Sequence, residues 1–203
     1  MRNSMLFFAA TATLFGAQAA LAQESEQAPA KAFAGPRAEV TVGIDQSNDD
    51  AFAGGSELTS MRVGGAVGYD VAIGKRVTLG IEAGIGWGIA GHTPVMSTAG
   101  ATPYSISAGH DADISARIGY ALSPKTLIYA KAGWADAAYR LTTGNEAYYD
   151  NNDKGVRFGA GIEQKLTKQV YAKAEYRYSM YGNAGYEQDT GRHQLLTGIG
   201  VRF

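Results

Sequence analysis

The sequence predicts an all-β fold, an eight-stranded antiparallel up-and-down barrel that crosses a membrane with its strands. Three observations predict it. Eight segments alternate apolar and polar residues with period two. Their connections alternate between short and long. The chain opens with an export signal, yet it has no cysteine to staple an exported domain.

The N-terminus comes first. Arg2 supplies a positive charge, an apolar run follows from Met5 to Gly16, and Ala20-Leu21-Ala22 has the small-x-small pattern of a signal-peptidase site. Residues 1–22 are therefore read as a signal peptide. The apolar run is shorter than the ~20 residues that span a bilayer, which argues against an anchor. Residues 23–36 are polar and Ala/Pro-rich and read as a flexible periplasmic leader. The barrel domain is expected over 37–203.

The first segment alternates Ala38, Val40, Val42 and Ile44 with Arg37, Glu39, Thr41, Gly43 and Asp45. The second sets Met61, Val63, Gly65, Val67 and Tyr69 against Arg62, Gly64, Ala66, Gly68 and Asp70. The third sets Val77, Leu79, Ile81, Ala83, Ile85 and Trp87 against Thr78, Gly80, Glu82, Gly84 and Gly86. The fourth runs through Ala112, Ile114, Ala116, Ile118 and Tyr120, with Asp113, Ser115 and Arg117 between them. The fifth pairs Ile128, Ala130, Ala132 and Trp134 with Tyr129, Lys131 and Gly133. The sixth pairs Val156, Phe158, Ala160 and Ile162 with Arg157, Gly159, Gly161 and Glu163. The seventh pairs Ala172, Ala174, Tyr176 and Tyr178 with Tyr171, Lys173, Glu175 and Arg177. The last pairs Leu195, Thr197, Ile199, Val201 and Phe203 with Gln194, Gly198, Gly200 and Arg202. Each segment is roughly ten residues, the length of a tilted membrane strand.

The short connections are Ile73-Gly74-Lys75, Ser123-Pro124-Lys125 and Thr167-Lys168-Gln169. The long ones run from Gln46 to Thr59, Ala90 to Gly109, Thr142 to Lys154 and Gly182 to Arg192. Short periplasmic turns and long outer loops are the pattern of an outer-membrane barrel with both termini in the periplasm. With that orientation, Tyr69, Tyr120 and Phe203 form a periplasmic girdle. Trp87, Trp134, Phe158 and Tyr178 form an outer one. A lumen charge set follows from the opposite face: Glu39, Arg62, Glu82, Asp113, Arg117, Lys131, Arg157, Glu163, Lys173, Glu175, Arg177 and Arg202. Mixed signs in a low-dielectric enclosure favour paired charges, so the expected lumen is a polar plug of ion pairs and water. The alternatives are a narrow pore for ions or small solutes and a soluble periplasmic barrel with a ligand cavity.

The chain ends on Gly198-Ile199-Gly200-Val201-Arg202-Phe203. Here the sequence resembles the OmpA-like and opacity-type small outer-membrane barrels, over about Gly35 to Phe203. The resemblance implies that the terminal Phe203 is the signal read by the barrel-assembly machinery. It also implies an outer-membrane location in a Gram-negative bacterium, among lipid and lipopolysaccharide. It departs from two-domain members, since the barrel takes the sequence to its last residue.

The loop tips are acidic and Tyr-rich: Asp45, Asp49, Asp50 and Glu57 in the first, Glu146, Tyr148, Tyr149, Asp150 and Asp153 in the third, Tyr186, Glu187 and Asp189 in the fourth. They suit a host or phage ligand, or cations bridging lipopolysaccharide. Asp150-Asn151-Asn152-Asp153-Lys154-Gly155 resembles a calcium loop but has Lys154 at a ligand position and Gly161 where a bidentate Glu belongs. No metal or cofactor is expected. A net charge of −1 gives no electrostatic case for nucleic acid. No nucleophile elbow, zinc-protease motif or phosphate loop is present in the sequence. The histidines His92, His110 and His193 sit in or beside outer loops, and Ser107 or Asp111 near His110 is the best imitation of a lipid-modifying site. The reading is a non-enzymatic surface or envelope protein.

Overall fold

The computed structural model describes residues 28–48, 57–90, 93–95, 104–143, 146–181 and 190–203. Strands β1 Gly35–Asn48, β2 Glu57–Ala72, β3 Val77–Ala90, β4 Thr93–Val95 and β5 Tyr104–Ala121 come first. Then follow β6 Thr126–Thr143, β7 Glu146–Lys165, β8 Val170–Tyr181 and β9 Thr190–Arg202. The sheet order is β3-β2-β1-β9-β8-β7-β6-β5-β4, and β3 also pairs with β5. Every pairing is antiparallel. The β3–β5 ladder closes eight strands into a barrel, while β4 extends β5 at one rim. Closure removes the sheet edges that an apolar solvent could not satisfy.

Sidedness decides the solvent. On the outer face Val40 is 67% exposed and Ile81 65%, while inside Arg157 and Glu163 are each 0% exposed. A soluble barrel would wear the charges outside and line its cavity with the apolar set. Here apolar side chains face outward on every strand of the barrel, which suits lipid and excludes the soluble alternative.

The eight barrel strands run 12 to 20 residues rather than ten. Pairing between β6 and β7 continues to Thr143↔Glu146, through residues expected in the third long loop. At about 3.3 Å per residue, the 20 residues of β7 far exceed the ~10 needed to cross the apolar layer. Beyond that layer nothing requires the outer face to be apolar. The alternation that marks a strand in sequence fades there, although backbone pairing persists.

The N-terminal expectation also needs correcting. Pro29–Phe33, in the second half of the supposed flexible leader, is a 3-10 helix, and β1 begins at Gly35 rather than residue 37. Phe33 is fully buried against Ala121 and Leu127. Lys165 Nζ donates to the Ala32 carbonyl at 2.7 Å, and Arg202 Nη1 to that of Phe33 at 2.5 Å. The segment folds across the turn end of the barrel because Phe33 there finds an apolar seat that water would deny it. Gly35 then turns the chain upward at φ 112°, where a Cβ would lie 2.4 Å from the Phe203 carbonyl oxygen. Residues 1–22 lie outside the described part.

Candidate functional site: the charged lumen

Period-two geometry sends alternate side chains into a bore that eight strands leave just wide enough to fill. All twelve charges expected there are buried in it. Asp45, Asp70, Asp111 and Arg192 join them. Asp45 had been read both as the last inward residue of the first segment and as a loop acid, Asp111 beside His110, and Arg192 at a loop end. Asp111 and Arg192 lie where the strands outrun the alternation that sequence displays. Arg37 and the inward tyrosines complete the lining.

At the turn end Asp70 accepts from Arg37 Nε at 3.0 Å and Arg202 Nη1 at 2.8 Å. Glu163 takes Arg117 Nη2 at 2.6 Å and Arg202 Nη2 at 3.1 Å. The Arg117 guanidinium also lies 3.7 Å over the Tyr129 ring. Above these, Glu82 binds Arg37 at 2.7 Å and Lys131 at 2.5 Å. Glu175 gathers Lys131 at 2.9 Å, Lys173 at 2.8 Å and Arg177. Glu39 holds Lys173 and the Tyr171 hydroxyl.

At the loop end Arg157 forks between Asp111 and Asp113, each at 2.7 Å. Its remaining donors reach Ser179 at 2.9 Å and Tyr181 at 2.8 Å. Arg62 links Asp111 to Asp45, which also holds Arg192 and Gln194. Among the described residues, the two halves meet at Arg177, whose guanidinium is 3.6 Å from Asp113 above and 4.0 Å from Glu82 below. The result is one connected web of eight carboxylates and nine bases. Charges this deep are stable only in company, since an unpaired buried ion costs several kcal/mol.

Glycines make room for the bulk. A Cβ at Gly200 would lie 2.3 Å from the Tyr171 ring. One at Gly161 would lie 2.6 Å from the Tyr129 hydroxyl, which donates to Glu175. Tyr129 and Tyr171, which the alternation sets on the inward face, are buried in the lumen together with Tyr181, and their hydroxyls bind charged partners. The repeated Gly opposite inward Tyr was the available signal.

The outer-face aromatics stand as follows. Tyr69, Tyr120 and Phe203 are exposed near the turn end, and Trp87, Trp134 and Phe158 are exposed nearer the loop end. Tyr178 is half-buried against His193, ring centroids 4.7 Å apart. The Tyr176 hydroxyl and His193 Nδ1 are 2.6 Å apart on that face.

The proposed catalytic imitation does not assemble from His110 and Asp111. His110 is exposed outside, opposite Trp87 in register, while Asp111 is buried inside and committed to two arginines. Neighbours on a strand face opposite ways. The side chain of Ser107, together with His92, Asp49, Asp50, Tyr186, Glu187 and Asp189, lies outside the described part. Glu146, Tyr148, Tyr149, Asp150 and Asp153 belong to β7 rather than to a loop, and Glu57 opens β2.

Comparison with known proteins agrees with this architecture. A family model described as the outer membrane protein beta-barrel domain matches residues 7–203. The 25 kDa outer-membrane immunogenic protein of Brucella abortus biovar 1 is 36% identical over 108 residues, 48% of each chain. The chain thus spans about half the length of the Brucella relatives it matches. The 22 kDa outer membrane protein of Rhizobium leguminosarum bv. viciae is 28% identical over 160 residues, 73% of this chain and 70% of that one. Among solved structures, Neisserial surface protein A superposes with a TM-score of 0.61 at 13% identity, covering 83% of this chain and 97% of its own. Ail, the attachment invasion locus protein of Yersinia pestis, was solved with the heparin analogue sucrose octasulfate. It gives a TM-score of 0.52 at 13% identity, covering 83% and 99%. At such identities these two likenesses show the fold alone.

Proposed function

The chain belongs to the outer membrane protein beta-barrel domain family and is an outer-membrane β-barrel; from that premise we propose a non-conducting, non-enzymatic scaffold whose working surface is its loop end. The observation that carries this reading is the connected lumen web, which spends the bore on ion pairs, with Phe33 seated beneath it. In this proposal a signal peptide cleaved after Ala22 exports the chain. Phe203 presents the last strand to the assembly machinery, and the turn end faces the periplasm. The loops at the other end are acidic, with Asp49, Asp50, Glu187 and Asp189 in the sequence. That charge suits a basic partner on a host cell or phage, or divalent cations bridging lipopolysaccharide. It suits the polyanion class seen with Ail poorly.

A second reading, the narrow pore, draws on one feature: the web's two halves join through Arg177 alone among the described residues. Planar-bilayer recording on the purified protein separates the two, with a heat-dependent gel shift verifying the fold. A quiet bilayer is expected. Stable conductance steps that change on neutralising Arg177 would overturn the scaffold.

A further inference from the structure

The three short turns share a composition that neither the lumen nor the loops explain. Each sets an exposed apolar side chain within three residues of an exposed cation: Ile73 with Lys75 and Arg76, Leu122 with Lys125, Leu166 with Lys168. Arg76 reaches the neighbouring turn, its Nη1 donating to the Leu122 carbonyl at 3.3 Å, so two turns present their cations side by side. Lys31, exposed on the 3-10 helix, adds another positive charge at this end. Among the described residues no side-chain carboxylate pairs with these five cations, and the carboxyl group of Phe203 is the single acid exposed at this end. Asp70 and Glu163, the acidic side chains of the turn end, are sealed in the lumen and committed to arginines. The rim is therefore an unbalanced ring of positive charge with an apolar collar beside it.

We propose that this rim docks the anionic phosphate headgroups of the lipid leaflet in which it stands. The charge sign selects an anion. The apolar partners select a lipid, because Ile73, Leu122 and Leu166 beside the cations match an acyl region bordered by phosphates. A soluble acidic protein or a glycan would give those side chains nothing to enter. The exposed Tyr69, Tyr120 and Phe203 of the same end sit at the same boundary and fix its depth. The rim holds anionic lipid around the barrel whether or not the lumen conducts.

The test uses protein purified from outer membranes and reconstituted in phosphatidylcholine vesicles. Spin-labelled phosphatidylglycerol and spin-labelled phosphatidylcholine serve as probes of the lipid shell. The native protein is expected to prefer phosphatidylglycerol by about threefold or more at low salt, and to lose the preference in high salt. The variant Lys75→Gln/Arg76→Gln/Lys125→Gln/Lys168→Gln should bring the ratio to near unity with an intact gel shift. Lys154→Gln, an exposed cation toward the other rim, should leave it unchanged. No preference in the native protein, or equal preference in the fourfold variant, overturns the proposal. So does sedimentation with purified peptidoglycan that depends on these turn cations in the absence of any lipid preference, which would assign the rim to the cell wall.

Discussion

Arg157 has no exposed surface and uses its guanidinium on four partners: Asp111, Asp113, Ser179 and Tyr181. Arg157→Gln leaves two carboxylates buried with their main cation gone. A loss of about 3–5 kcal/mol in folding stability is expected, read by urea unfolding in phospholipid vesicles. Arg157→Lys should recover part of it, since an ammonium restores the charge but cannot fork between two carboxylates. This residue was legible in the sequence as an inward charge, as were Glu82, Lys131 and Glu175. Their partners were not, because partners depend on how neighbouring strands slide against one another, and a two-residue slip preserves the inward face. Asp45 and Arg192 were left out of the expected lumen set for a second reason. They lie near strand ends, where apolar neighbours thin out and an inward charge reads equally well as a loop charge.

At the scale of elements, the alternation placed all eight barrel strands and their outward faces, but neither their ends nor the short β4. It was silent about Pro29–Phe33, since five residues carry no period to read. Phe33→Ala should unseat this helix without opening the barrel. Limited proteolysis is expected to cut between residues 28 and 34 faster than in the native protein, while the gel shift persists. Equal cutting rates would show that Phe33 does not hold the segment. The last strand should behave differently. Phe203 is exposed outside, and its backbone N–H donates to Pro36 at 3.0 Å, closing the β1 end of the ladder. Deleting Phe203 or replacing it by Asp should lower the amount in the outer-membrane fraction, measured by fractionation and blotting. Normal levels would remove it as an assembly signal.

The whole molecule is a soluble protein turned inside out: ions in the middle, aliphatic side chains on the rim of every pleat. Its stability should therefore depend on the side of the wall that a charge occupies. Val40 is exposed near the middle of the apolar band, one residue from the buried Glu39. Val40→Arg should cost about 2–4 kcal/mol in bilayers, by the same unfolding assay. A cost near zero would mean that Val40 does not face acyl chains. The seat of Phe33 carries a different consequence, one of timing. It is built from Ala121 and Leu127 in mid-chain, and the Phe33 carbonyl is held by Arg202 of the last strand. The stretch ahead of the first strand thus lacks its full set of partners until the last strand has taken its place. Its complete docking therefore marks a closed barrel, and a molecule stalled one strand short should leave that stretch open to proteases.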